Sequence, residues 1–396
     1  MNRVLDGIRI IDFTRVYAGT TCTAILADMG AEVIKIERPK TGAEDRTYMP
    51  IYKGISGYHM HINRGKKGIT LNLKNKKGIE IVKKLVEKSD ILVENFTPGV
   101  MKKLGIAYED VKEINPKIIY TSISGYGQYG PYSDRKCYDL AAQAMSGLTT
   151  EIRAVDTQNP PLTLGGLSDT VAGWQAALGT MFALYYREIT GKGQKVDVSM
   201  MDSAFSLLAY RAEQYLLTGE LAKPSGCAHA LSAPFDAFKT KDGYVIITTA
   251  NEMLFENVCQ AMHKPELHQD PRFETDAKRA RNHIELKKII EEWLSSYTAK
   301  EAEEILLKYS IPCGHIQTIP EVCNGPQVIA RDMIVEVEHP VVGKIKIPGN
   351  PIKLSETPAQ LKIPAPLLGQ HNEEILVKLL GYELDYVKQL QNEGII

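Results

Sequence analysis

The sequence has little cysteine, and its thiols are not paired along the chain. No two of its six cysteines form a C-x-x-C pair: Cys22, Cys137, Cys227, Cys259, Cys313 and Cys323. This scatter argues against a disulfide framework or a structural zinc site and predicts free thiols in a reducing cytoplasm. One close histidine pair, His59-Met60-His61, has no acidic or thiol residue beside it in the sequence. We interpret that pair as a surface or packing feature and expect no metal site.

The chain also lacks an excess of charge and lacks long apolar runs. Lys and Arg total 47 against 48 for Asp and Glu, a formal net charge of −1. This balance predicts neither nucleic acid nor an anionic membrane as partner. No apolar run approaches the roughly 20 residues that span a bilayer. The opening MNRVLDGIRIIDFT leads into a strand-like run without the features of a signal peptide, which also favours a cytoplasmic protein.

Several common catalytic signatures are missing. The sequence contains no P-loop, no H-E-x-x-H and no G-x-S-x-G, which argues against the familiar P-loop NTPase, zinc protease and α/β-hydrolase patterns. Residues 125–130 match G-x-G-x-x-G and follow a predicted strand, but Pro131 and a polar loop come next. A dinucleotide site needs a helix to open there, so we do not expect one.

What is present is an alternation of strands and helices. Five strands are predicted by the runs GIRIIDFT, AEVIKIE, GITLNL, ILVENF and KIIYTSIS, with helical patterns between most of them. This order predicts a Rossmann-like α/β domain with a parallel sheet. A stretch rich in Gly, Pro, Ser and Ala near 219–230 indicates a linker. We therefore predict a large α/β domain from residues 1–219 with 330–396, and a smaller α+β domain from 220–329.

Asp169 is the candidate reactive residue. It stands between Gly165-Gly166 and an apolar stretch typical of a buried helix. An aspartate there is a favoured helix cap, but a carboxylate can also act as a covalent nucleophile toward an activated acyl group. Basic residues follow the predicted strands: Arg15, Arg38, Lys74, Lys102, Lys103 and Lys136. They fit either a solvated surface or a site for the phosphates of a large anionic ligand.

Longer stretches carry a family resemblance. GIRIIDFTRVYAG, ADMGAEVIKIERP, VENFTPGVMKKLGI, KCYDLAAQAMSG, GGLSDTVAG and GKIKIPGNPIKLS occur in order from about residue 7 onward. Together they resemble the family III CoA-transferases of the CaiB/BaiF type, the group of formyl-CoA transferase and carnitine CoA-transferase. The resemblance implies an interlocked homodimer that transfers CoA between small organic acids through a thioester on Asp169. It implies acyl-CoA as a substrate, with no tightly bound cofactor, metal or ATP.

The same resemblance implies the remaining site residues. Those expected to contact CoA are Val16, Ala18, Arg38, Leu71, Lys74, Asn95, one of Lys102 or Lys103, Lys136 and Tyr138. Those expected to line the acyl pocket are Tyr17, Asp139, Gly165 and Gly166. The turn at residues 16–18 and the two glycines are the expected donors of backbone N–H groups to the acyl oxygen.

Two departures bear on the reaction. The smaller domain reads TTANEMLFENVC where oxalate-using members carry a glycine-rich loop, which argues against oxalate as acceptor. The α-methylacyl-CoA racemases of the same fold place a histidine where this chain has Tyr138, and neither Tyr138 nor Cys137 is a matched base near neutral pH. Two alternatives to a CoA-transferase are considered: an α-methylacyl-CoA racemase of the same fold, and a CoA-binding regulatory subunit without turnover.

Overall fold

The computed structural model describes residues 3–151, 163–221, 226–229 and 231–396. Its contacts divide the chain into two units. The first combines Met1–Thr150, Thr163–Ala209 and Pro326–Ile396, and the second is built chiefly from Tyr210–Gly325. In chain order, the elements up to residue 206 are β1 (Arg9–Asp12), α1 (Ala18–Asp28), β2 (Glu32–Glu37), a 3₁₀ turn (Glu44–Thr47), β3 (Ile51–Tyr52), β4 (Ile55–Ser56), α2 (Gly57–Ile62), β5 (Lys66–Thr70), α3 (Lys76–Glu87), β6 (Ile91–Glu94), α4 (Val100–Leu104), α5 (Tyr108–Ile114), β7 (Ile119–Ser124), α6 (Asp139–Met145), α7 (Leu148–Glu151), α8 (Leu167–Thr190), β8 (Lys195–Ser199) and α9 (Met200–Ser206).

The second unit contains a small antiparallel sheet covered by helices. Its elements are α10 (Tyr210–Thr218), β9 (Phe235–Lys239), β10 (Tyr244–Thr248), α11 (Glu252–Ala261), a 3₁₀ turn (Pro265–Gln269), α12 (Asp276–Arg281), α13 (His283–Leu294), α14 (Ala299–Lys308), β11 (Cys313–His315) and α15 (Ile319–Cys323). The strand order is β11-β10-β9, and Val245, Ile247 and Phe255 are among the fully buried side chains of its core.

The chain then returns to the first unit. The last elements are α16 (Pro326–Ala330), β12 (Ile334–His339), β13 (Gly343–Pro348), a π-helical segment (Glu374–Leu379) and α17 (Leu384–Asn392). Strands β12 and β13 form an antiparallel ribbon.

The first unit is organised around a six-stranded sheet in the order β5-β2-β1-β6-β7-β8. Every neighbouring pair in it is parallel. The central strands are buried on both faces, as expected when helices cover both sides. One face packs on a core that includes α3, α5 and α17, and the other on a core that includes α1 and α8. The predicted Rossmann-like α/β class is therefore confirmed.

Helix α8 packs closely on α1 because its contact face is made of small residues. Ala172, Gly173 and Ala176 are buried there. A Cβ atom on Gly173 would lie 2.6 Å from the carbonyl oxygen of Ala18 and 2.9 Å from Cβ of Thr21. Glycine at this position lets the second turn of α8 approach the first turn of α1.

The glycine-rich run at 125–130 is a loop, as its sequence predicts. Residues 125–138, all described, contain no helix, and α6 begins only at Asp139. Within the described ranges, no helix is both long enough and apolar enough to cross a membrane.

Candidate active site

Asp169 lies in the first turn of α8, at the carboxyl edge of the parallel sheet. Helix α8 begins after Gly166, whose positive φ of 79° suits glycine. A cleft of about 320 Å³ opens beside Asp169, between the loops that follow β1, β6 and β7. Strand β1 has β2 on one side and β6 on the other. Such a reversal of strand order is where α/β sheets bind ligands.

The cleft brings together about half of the residues that the sequence singles out. Those lining it are Arg15, Val16, Tyr17, Ala18, Asn95, Lys136, Tyr138 and Asp169. Further lining residues that sequence reasoning did not assign to the site include Glu44, Tyr48, Phe96 and Cys137. Glu44 and Tyr48 come from a segment that matches no motif, whereas Phe96 and Cys137 lie in VENFTPGVMKKLGI and KCYDLAAQAMSG, from which they were assigned no role in the site.

Asp139 is the residue that caps α8. Its carboxylate accepts hydrogen bonds from the backbone N–H groups of Gly166 (2.8 Å), Ser168 (2.8 Å) and Asp169 (3.2 Å). The Ser168 hydroxyl and the Gln143 amide also donate to it, at 2.6 and 2.8 Å. Asp139 is buried and does not line the cleft. The expectation that it lines the acyl pocket is therefore corrected, because its oxygens are already occupied by the start of α8.

The carboxylate of Asp169 is left without such partners. Among the described residues, no hydrogen bond or ion pair reaches its oxygens, and the side chain faces the cleft. Burial, and secondarily the negative charge of Asp139, raise the pKa of Asp169 to about 7. A carboxylate that is poorly solvated and unpaired is a stronger nucleophile than one held by cations or donors.

Three tyrosines form an aromatic wall near Asp169. The rings of Tyr17 and Tyr58 are 5.7 Å apart, and those of Tyr58 and Tyr48 are 5.3 Å apart. Burial and the nearby charge of Asp169 raise the pKa of Tyr58, so its phenol stays protonated at neutral pH. Tyr58 was not recognisable from the sequence, because it lies in α2, between β2 and β5, and matches no motif.

The turn between β1 and α1 is held in an unusual conformation. Val16 has φ of 61°, a left-handed backbone that is rare for a β-branched residue. The side chain of Asn95 clamps the preceding residue, accepting from Arg15 N–H at 2.8 Å and donating to the Arg15 carbonyl at 2.7 Å. No side chain of a described residue caps the start of α1. The first N–H groups of α1 and its positive dipole end are thus available at Ala18, which lines the cleft.

The remaining predicted contacts lie outside the cleft. Arg38 follows β2, is 57% exposed, and shares the Glu44 carboxylate with Arg15 at 3.1 and 3.3 Å. Exposed ammonium groups are carried by Lys74, Lys102 and Lys103. Leu71 is 1% exposed and packs in the core. Its side chain has no free surface, so the CoA contact expected at Leu71 stays a prediction and would have to use main-chain atoms.

Known proteins resemble this chain along its whole length. The model of CoA-transferase family III matches residues 5–372. The chain is 38% identical to human succinyl-CoA:glutarate CoA-transferase, over 100% of this chain and 91% of that protein. It is 40% identical to acetyl-CoA:oxalate CoA-transferase of Acetobacter aceti, over 88% of this chain and 89% of that protein. A solved CAIB/BAIF family protein from Brucella suis matches with a TM-score of 0.85 at 33% identity, covering 96% of this chain and 100% of that one.

Proposed function

The chain belongs to CoA-transferase family III, and we propose that it moves CoA from an acyl-CoA to a carboxylic acid through a covalent thioester on Asp169. The observation that carries this proposal is the division of labour between two aspartates. Asp139 caps the helix, and Asp169 presents an unpaired carboxylate to the cleft. Capping of α8 therefore does not explain why an aspartate stands at position 169, because Asp139 supplies the cap.

The proposed reaction has four balanced steps. An oxygen of Asp169 attacks the donor thioester, the C–S bond breaks, and a mixed anhydride and CoA thiolate form. The thiolate attacks the aspartyl carbonyl, which releases the donor acid and leaves an aspartyl-CoA thioester. The acceptor carboxylate attacks this thioester and expels the thiolate, and the thiolate then attacks the acceptor carbonyl of the second anhydride. The products are the new acyl-CoA and free Asp169, with no net proton, metal or ATP.

Each step places negative charge on a carbonyl oxygen. The uncapped start of α1 and the turn at Val16–Ala18 border the cleft that holds Asp169. Backbone N–H groups in these positions would stabilise that oxygen, and removing one such donor typically costs about 10²–10³ in rate. Of the two glycines before Asp169, Gly165 is the second proposed source, because the N–H of Gly166 already donates to Asp139.

The CoA nucleotide is proposed to bind along the carboxyl edge of the sheet. Arg38 and one of Lys102 or Lys103 would contact its phosphates, with Lys74 beside the adenine. Lys136 and Tyr138 line the cleft and would meet the pantetheine arm. For Asn95 we propose an indirect part, because both polar groups of its side chain are bonded to Arg15.

We propose small dicarboxylic acids as the exchanged class. The cleft beside Asp169 is small, about 320 Å³, and must also admit the end of the pantetheine arm. The named substrates of the two relatives above are succinyl-CoA with glutarate and acetyl-CoA with oxalate. Oxalate is the less favoured acceptor because TTANEMLFENVC stands in place of a glycine-rich loop.

A homodimer completes the proposal. One stripe of α8 carries large exposed apolar side chains at helical spacing: Trp174 (53%), Leu178 (53%), Phe182 (65%), Tyr185 (70%) and Ile189 (67%). An apolar stripe of this size on a described helix favours cover by a second copy, as the interlocked dimer requires. Phe182→Glu is expected to lower the mass measured by light scattering. A cytoplasmic location stays a prediction from the thiol pattern.

The test is chemical trapping with a matched control. Wild type, Asp169→Ala and Asp202→Ala would be incubated with succinyl-CoA or acetyl-CoA and then hydroxylamine. Asp202 occupies the same first-turn position of α9 but lies outside the cleft. A hydroxamate on Asp169 in wild type and in Asp202→Ala supports the proposal. Exchange of an α-proton of a branched acyl-CoA with solvent, without any Asp169 adduct, would support racemase chemistry instead.

A further inference from the structure

Three charged side chains with no exposed surface lie beneath the turn at residues 13–17. They are Asp12 at the end of β1 and Lys35 in β2, each 0% exposed, and Lys66 at the start of β5, 1% exposed. Nζ of Lys66 is 3.0 Å from Oδ2 of Asp12. Burying ionic groups among central strands is costly, and apolar residues of similar volume often serve stability as well or better. Such a cluster therefore calls for a role other than packing.

The cluster holds Thr14 by its main-chain N–H, its hydroxyl and its carbonyl. Oδ1 of Asp12 accepts from the Thr14 N–H at 2.8 Å and from the Thr14 hydroxyl at 2.5 Å. Nζ of Lys35 donates to the Thr14 carbonyl at 2.8 Å. Lys66 fixes Asp12 in turn and also donates to Asn63 at 3.1 Å. Thr14 is thus held from both sides by charged groups that water does not reach.

The neighbouring Val16 has a conformation that its own sequence disfavours. A left-handed β-branched residue costs about 1–3 kcal/mol and persists only where its surroundings impose it. Here the surroundings act on both sides, because Thr14 is fixed by the cluster and Arg15 by Asn95. The Thr20 hydroxyl also donates to the Val16 carbonyl.

We propose that Asp12, Lys35 and Lys66 are positioning residues for the transfer reaction, holding Val16 in its left-handed conformation so that the N–H groups of residues 16–18 face the acyl oxygen. This inference rests on the proposed function, because it assigns those N–H groups to the transition state. None of the three charged groups lines the cleft, so each acts through Thr14.

The pairing of Asp12 with Lys66 and Lys35 keeps Asp12 ionised despite its burial, as the bonds to Thr14 require. Burial alone would raise the pKa of Asp12, but the charges of Lys66 and Lys35 outweigh it and keep the pKa below its usual value. Asp12 therefore remains an ionised acceptor for Thr14. Burial lowers the pKa of Lys66 to about 8, and the Asp12 charge opposes that decrease.

The test combines Lys35→Met with Val16→Gly. We expect Lys35→Met to lower kcat at least tenfold while KM for acyl-CoA changes less than threefold, because the N–H groups matter in the transition state more than in binding. Glycine adopts positive φ without strain. We therefore expect kcat of the double variant to be at least fivefold higher than kcat of Lys35→Met alone. A merely structural role of Lys35 would not be rescued in this way.

Arg64→Met is the matched control. It removes another buried cation, whose guanidinium lies 2.7 Å from the carboxylate of Asp28 and does not bond to Thr14. For this variant, kcat is expected to stay within threefold of wild type. If Lys35→Met does not fold, Thr14→Val replaces it, since it removes only the hydroxyl bond to Asp12. Folded Lys35→Met or Thr14→Val with wild-type kcat would overturn the inference, as would a loss that Val16→Gly does not relieve. Wild-type enzyme that gives no Asp169 hydroxamate would instead overturn the proposed function itself.

Discussion

The backbone N–H of Asp169 donates to the carboxylate of Asp139 at 3.2 Å, so the two aspartates meet at the start of α8 without sharing a role. Asp139 receives the donors of the helix start, whereas the Asp169 carboxylate receives none from the described residues. Environment rather than residue type thus decides which carboxylate is structural and which can react.

Asp139→Asn separates the two effects of Asp139. An asparagine presents one acceptor oxygen where the carboxylate presents two, so we expect a loss of about 1–3 kcal/mol in the free energy of unfolding. The variant also removes the negative charge that helps raise the pKa of Asp169. The pH midpoint of kcat should therefore move below that of wild type. Urea unfolding and a pH–rate profile measure the two effects, and an unchanged midpoint would contradict the account.

The pH dependence of wild type should report the ionisation of Asp169. Only the ionised carboxylate attacks the thioester, and the pKa of Asp169 is raised to about 7. Adduct formation should therefore increase with pH, approach tenfold per unit well below pH 7, and level off above it. Single-turnover kinetics from pH 5.5 to 8.5, with circular dichroism to verify folding, provide the measurement. A rate that is flat across this range speaks against Asp169 as the nucleophile.

Asp169→Asn should stabilise the protein while it abolishes transfer. The pKa of Asp169 is raised in the folded state from 3.8 to about 7, so the native state binds more protons than the unfolded state between these values. Stability is therefore lost as pH rises through that window. At pH 8 the free energy of unfolding of the variant, measured with urea, should exceed that of wild type by ~1–3 kcal/mol. The difference should shrink at pH 4.5. A variant that is less stable than wild type at pH 8 would contradict the prediction that ionised Asp169 destabilises the folded state.

Gly173→Ala should push α8 away from α1. The added Cβ would meet the backbone carbonyl of Ala18 at 2.6 Å, which cannot move as a side chain can. We expect a stability loss of about 1–3 kcal/mol and a fall in kcat of roughly tenfold, since Asp169 lies one turn before Gly173. Gly179→Ala in the same helix meets only a methyl group of Val196 and serves as the control. Equal effects of the two substitutions would remove the argument for close approach at Gly173.

The sheet was the most predictable part of this fold. Apolar runs such as IRIID and ILVE are long enough to identify strands, and the alternation with helices predicts their parallel pairing. The bounds were less accurate: GITLNL was predicted to form a strand, but β5 covers Lys66–Thr70. Leu71, which the family resemblance implies as a CoA contact, follows β5 directly, and its side chain packs in the core.

The polar interior was beyond sequence reasoning because its partners are far apart along the chain. Asp139 caps a helix that begins at residue 167, and nothing in KCYDLAAQ indicates that acceptor. His59 was interpreted as a packing residue without an acidic neighbour, yet its Nδ1 lies 2.6 Å from Asp45 in the interior. Only the fold brings such residues together, whereas Asp169 was identifiable from the stretch GGLSDTVAG that surrounds it.

The central claim is that Asp169 itself exchanges oxygen with the acids. In the proposed steps, one oxygen of the acceptor carboxylate remains on Asp169 after turnover, and the next donor acid carries it away. Wild-type enzyme would be incubated with ¹⁸O-labelled glutarate and succinyl-CoA. The mass of the peptide that contains Asp169 would then be measured by mass spectrometry. The account predicts that ¹⁸O appears in Asp169 and then in the released succinate. Product formation with no ¹⁸O in Asp169 or in succinate would contradict it.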